Sequence, residues 1–222
     1  MGSSSPFNLS WDVRLKIARG VARGLAYLHE KKHVHGNLKP SNILLGPQME
    51  PRISDFGLER LVTLDFSSSS SSKTAGASAR HFGSKRSNLS RDSLQDLPTP
   101  SPTLSSHAGA ASPYHAPELL KNLKAQPKWD VYSFGIVLLE LVTGKAFTEA
   151  ELAQWNSGFL FEDQYRVLRL ADPAIRADVE GREEALLACF KLGFSCTSMV
   201  PQKRPTMKEA VQVLENIPPF SH

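Results

Sequence analysis

The run from Trp129 to Val142 constrains this chain most. It reads as a helix with apolar residues on nearly every side, broken by Asp130 and Glu140, and it ends at Gly144, a residue suited to the left-handed position after a helix. A helix apolar on most sides needs cover on most sides, so it belongs in the centre of a domain. It falls short of the ~18 apolar residues of a membrane span, and no secretory signal precedes it. Met1-Gly2-Ser3-Ser4-Ser5-Pro6 misses a myristoylation signal because Pro6 stands where Ser or Thr is needed. At 222 residues and 41% hydrophobic, the chain can bury one good core around that helix.

The other elements are expected to gather on it. Ser10 suits an N-cap, and Val13, Ile17, Val21, Leu25 and Leu28 follow at helical spacing, with Arg14, Lys16, Arg19 and Arg23 on the other side. Gly20 and Gly24 lower helix propensity inside that run, so close backbone packing is the reason to place them there. The helix ends near Glu30. Ile43-Leu44-Leu45 reads as a short buried strand, Gly46-Pro47 as a turn, and Arg52-Ile53-Ser54 as a second strand. Glu183–Ser198 reads as a helix with Ala185, Leu186, Cys189, Leu192, Gly193 and Cys196 inward. A last helix starts at Thr206, whose capping box with Glu209 precedes Val211, Leu214 and Ile217. The two cysteines, too far apart along one helix to bridge, read as buried reduced thiols.

Between Thr63 and Ser112 the composition changes to Ser, Thr, Pro, Gly and basic residues, with six serines at 67–72. Such a segment has too few large apolar side chains to offset its ordering entropy, so 63–112 is expected to be disordered. It offers Thr99-Pro100, Ser101-Pro102, Ser87 and Ser93 as exposed phosphorylation sites. The net charge of +4 comes without a basic stripe interleaved with aromatics, which argues against nucleic acid as a partner.

The stretch His33–Asn42, His-Val-His-Gly-Asn-Leu-Lys-Pro-Ser-Asn, holds the chemistry. With Asp55-Phe56-Gly57, Ala116-Pro117-Glu118, Asp130-Val-Tyr-Ser-Phe-Gly and Arg204-Pro205 following in order, the chain resembles the protein kinases. Lys-Pro-Ser-Asn-Ile-Leu-Leu and the wording from Trp129 to Leu141 are similar to plant leucine-rich-repeat receptor-like kinases. The resemblance covers 1–222 apart from the insertion. It implies a mainly α fold: a kinase-like C-terminal lobe with a small β-hairpin at the cleft. The glycine-rich loop, strand lysine and partner glutamate of an N-terminal lobe are not found, so that lobe is expected to be absent.

The resemblance also implies roles. Asn42 and Asp55 match the residues that hold Mg²⁺ against the phosphates of ATP, and oxygen donors suit that hard cation. Lys39 matches the lysine that neutralises charge on the transferred group. Asn37 stands where the family has the aspartate that takes the substrate hydroxyl proton. An amide oxygen is a very poor proton acceptor, and general-base help is worth ~10²–10⁴-fold. Gly36 removes the arginine that in regulated kinases pairs with an activation-loop phosphate. Asn37 could alternatively cap the loop by bonding backbone groups. His33-x-His35 has no further His or Cys near it, which argues against zinc, and His35 is expected beside Phe56. Asp130 is implied to hold the catalytic-loop backbone, and Glu118 with Arg204 to form a buried pair.

These residues predict an inactive member, with ATP and Mg²⁺ not productively bound by this chain. It would act as a receptor-like pseudokinase C-lobe that binds other receptor or cytoplasmic kinases and signalling proteins and is itself phosphorylated. The expected place is the cytoplasm, at the inner side of the plasma membrane for a full-length parent. Two alternatives stand beside it: a serine/threonine kinase in the parent, and a poorly folded truncation without function.

Overall fold

The computed structural model describes residues 9–56, 112–119, 125–156 and 169–218. The expected disordered insertion therefore lies, Ser112 excepted, outside the described residues, as do its four phosphorylation sites and Gly57. Beside three short 3₁₀ turns, the described residues form six α-helices and one hairpin: α1 (Trp11–Glu30), β1 (Ile43–Leu45), β2 (Pro51–Ile53), α2 (Pro127–Thr143), α3 (Glu149–Asn156), α4 (Arg176–Val179), α5 (Glu183–Cys196) and α6 (Met207–Glu215). The mainly α, C-lobe-like architecture is as the sequence led one to expect.

Helix α2 is the axis. Every residue from Trp129 to Leu139 is buried, because α5 and α1 cover it. Its crossing with α5 is close: a Cβ on Gly135 would stand 2.6 Å from Cys196 Cβ, and one on Gly193 would stand 2.7 Å from Leu139 Cδ2. Only glycine allows two helix backbones to approach so far. Gly144 ends α2 at φ 68°, its amide bonded to the Glu140 carbonyl at 2.8 Å. Cys189 and Cys196 are free and buried on α5, and burial pushes both thiols up to about 12.

Helix α1 carries the hairpin. A Cβ on Gly20 would meet Pro51 Cγ at 2.3 Å, and one on Gly24 would meet Ile53 Cδ1 at 3.2 Å. The helix's two glycines are thus the seat of β2. The strands pair antiparallel, Ile43 with Ile53, Leu44 with Arg52 and Leu45 with Pro51. The expected burial of β1 fails: Leu44 is 56% and Leu45 43% exposed. A two-stranded ribbon can lay only one face on α1, and apolar character does not say which face finds cover.

Three local details also depart from expectation. Ser10 makes no side-chain cap; the Trp11 amide instead donates to Asp178 Oδ2 at 2.9 Å. Arg14 is buried, not outward: it donates to the Leu9 and Leu141 carbonyls and pairs with Asp172 at 2.6 Å. Helix α5 stops at Cys196, two residues early. The Thr206–Glu209 capping box is formed in both directions at the start of α6. On the far side of α1, the Arg19 guanidinium donates to the Leu214 carbonyl at 3.0 Å and to the Ile217 carbonyl, tying α6 down.

Candidate active site

The loop that follows α1 is shaped by one buried carboxylate. Asp130, in the first turn of α2, is fully buried. Its Oδ2 accepts from the His35 amide at 2.8 Å and its Oδ1 from the Gly36 amide at 2.7 Å. His29 Nε2, in the last turn of α1, donates to Oδ2 at 2.8 Å. Three donors around a buried anion replace the water it has lost, as burial of a charge requires. Asp130 is therefore scaffold: it clamps the backbone on which positions 35 and 36 sit. Gly36 takes φ 77°, a left-handed conformation that costs glycine nothing.

His35 is committed to structure as well. Its Nε2 donates to the Ser54 carbonyl at 2.9 Å, and its Nδ1 accepts from the Asn37 amide at 3.3 Å. That pattern needs the neutral Nε2–H tautomer. Burial lowers its pKa below the ordinary histidine value, against the opposing pull of Asp130. With both nitrogens engaged, His35 has no lone pair for a metal. The ring that meets Phe56 is that of His33, edge-on with centroids 6.0 Å apart. Phe56 itself is half exposed.

Asn37 is half-buried, and among the described residues its side-chain amide makes no hydrogen bond. The local-cap reading therefore fails. The bond that pins this part of the loop comes from Asn42, whose Nδ2 donates to the Asn37 carbonyl at 2.8 Å. At position 37 the side chain is thus free of hydrogen bonds among the described residues and carries no group that can hold a proton near neutral pH.

Asn42 is buried, at the end of the short 3₁₀ turn Pro40–Asn42 that leads into β1. Its carbonyl accepts the Ser54 amide at 2.9 Å. That bond sets Asp55 one residue away from Asn42, across the base of the hairpin. Asp55 is exposed and has φ 60°, a conformation uncommon outside glycine. Two of the implied ligands are thereby brought to one place. Since Asn42 Nδ2 is spent on the loop, Oδ1 remains for a cation, touched only by the Ser41 hydroxyl at 3.5 Å. One amide oxygen and one carboxylate fit a Mg²⁺ that completes its shell with phosphates and water. No cluster of three or more His, Cys, Asp or Glu side chains stands together among the described residues.

Lys39 is half-buried, and its charge helps lower the pKa of half-buried His115, after the larger effect of burial. The segment carrying His115 thus lies near the loop. Its anchors are strong. Arg204, fully buried, meets Glu118 through two parallel bonds of 2.7 and 2.8 Å, as expected. Tyr114, which sequence reasoning passed over, donates to Glu140 at 2.9 Å, and its carbonyl accepts the Ser133 hydroxyl at 2.7 Å. Burial raises the pKa of both Tyr114 and Glu140. The position of Tyr114 just before Ala116-Pro117-Glu118 was the signal available. His29 was missed too, since a histidine in a last helical turn reads first as a dipole partner.

This geometry agrees with the comparisons. Residues 4–80 match the family model for protein tyrosine and serine/threonine kinases, and residues 93–214 match that for the protein kinase domain. The chain belongs to the protein kinase family. Its relatives are plant leucine-rich-repeat receptor-like kinases. A probable receptor-like serine/threonine-protein kinase of this kind from Arabidopsis thaliana is 59% identical over 99% of the chain and 28% of its own length. A probable inactive leucine-rich-repeat receptor-like protein kinase from the same plant is 37% identical over 97% of the chain and 28% of its length. Among solved structures, the pseudokinase domain of BIR2, an immune regulator of the RLK/Pelle family, matches with a TM-score of 0.63 at 28% identity, over 94% of the chain and 53% of that domain. The chain thus spans little more than a quarter of the length of these two curated relatives. The kinase family generally uses ATP and Mg²⁺. No helix among the described residues is long and apolar enough to cross a membrane.

Proposed function

We propose that this chain is the C-lobe part of a receptor-like pseudokinase, a signalling module that acts by binding partners and by being phosphorylated. Phosphoryl transfer is lost or very weak. The observation that carries the reading is the unengaged amide of Asn37 in a loop whose scaffold is otherwise intact. A kinase loop that had merely decayed would be expected to lose its Asp130 clamp or its Asn42 strut as readily as its base. Gly36 supports the same reading, because it leaves no guanidinium to read a phosphate on the activation segment. Relatives named inactive, and a pseudokinase among the structural neighbours, are consistent with it.

The partners would be other receptor kinases, cytoplasmic kinases and signalling proteins, met on the cytoplasmic side of the plasma membrane. If a complete kinase domain with this C-lobe binds Mg²⁺ and ATP, Asn42 and Asp55 hold the cation. Lys39 then faces the phosphoryl group. The cation would neutralise phosphate charge, and Asn37 would add nothing to proton removal.

A second reading has one observation in its favour. Lys39, Asn42 and Asp55 are all kept, and a relative 59% identical is named as a probable serine/threonine kinase. In that reading the full-length parent transfers phosphate with Asn37 tolerated. Phosphoryl transfer by a complete domain carrying this C-lobe decides between them. Transfer that disappears in Asp55→Ala would sink the pseudokinase proposal. A cooperative melting transition in this chain alone would separate both readings from a truncation that does not fold.

A further inference from the structure

No further inference is drawn: the strongest candidate, the exposed apolar pair Leu44 and Leu45 on the hairpin, carries nothing because nothing in the structure shows what covers it.

Discussion

Replacing Glu118 by Gln should destabilise the fold, because it strips a buried cation of its counter-ion. The Arg204 side chain is 0% exposed and Glu118 14%. Its guanidinium makes four bonds: two to Glu118 at 2.7 and 2.8 Å, one to the Lys128 carbonyl at 2.9 Å and one to the Ser198 carbonyl at 2.8 Å. The two carbonyls carry dipoles, so Glu118 is the anion that balances this buried cation. Glutamine has nearly the same shape but keeps only one acceptor oxygen, turns an NH₂ towards a donor, and removes the charge. Breaking one side of a buried pair costs ~3–5 kcal/mol. Because Gln retains one bond and water reaches the partly exposed side of position 118, the lower end applies, about 3 kcal/mol. For a domain of this size that is a fall in Tm of roughly 6–12 °C. Circular dichroism melts at low and high salt would measure it, and the deficit should persist in salt because buried pairs are little screened. Glu118→Leu with Arg204→Met should recover only part of the loss, since the Ser198 and Lys128 carbonyls then lack their donor. A shift of under about 2 °C for Glu118→Gln, or one that salt removes, would refute this account.

Three further outcomes follow from the packing. Asp130→Asn should cost ~2–4 kcal/mol, because its NH₂ would face one of the two amides that now donate to separate carboxylate oxygens, with faster hydrogen exchange at the His35 or Gly36 amide as the readout. Gly20→Ala should destabilise by ~1–2 kcal/mol despite its gain in helix propensity, because the new Cβ would stand 2.3 Å from Pro51. Gly24→Ala, at 3.2 Å from Ile53 Cδ1, should be near neutral, so equal effects at the two glycines in urea titrations would contradict the seating of β2 on α1. Burial pushes the Asp172 carboxyl up, but the Ala174 amide and the Arg14 guanidinium outweigh it, and its pKa lies below the ordinary value. A depressed folded pKa means stability fully present above about pH 4 and lost as pH falls through the lower folded value. Asp172→Asn should therefore lower stability at neutral pH and flatten that acid limb, as followed by melts across pH.

Much of the fold was legible because its signals are local. The apolar run of α2 announced a central helix, Gly144 its end, and Thr206 with Glu209 a capping box. The site was legible through ordered motifs: Asp130 as clamp and Glu118 with Arg204 as anchor read correctly. What escaped depends on partners far along the chain. Arg14 looked like a solvent-facing charge because Asp172, which neutralises it, lies 158 positions away. The cap of α1 comes from Asp178 for the same reason. Leu44 and Leu45 read as buried because apolar character reports a preference, not the presence of a covering surface. The idle amide of Asn37 was hidden by redundancy: Asn42, five residues on, supplies the backbone bond that Asn37 was a candidate to make.

That idle amide also makes the central claim testable. Because no hydrogen bond holds the Asn37 side chain among the described residues, Asn37→Asp should enter the loop without disturbing the Asp130 clamp or the Asn42 strut. The measurement is transfer of the γ-phosphate from Mg²⁺-ATP by a complete kinase domain carrying this C-lobe, with Asn37 and with Asn37→Asp compared at matched folding. The account predicts transfer near background with Asn37 and a rise of ~10²–10⁴-fold with aspartate. Equal and substantial transfer by both, abolished in each by Asp55→Ala, would contradict it.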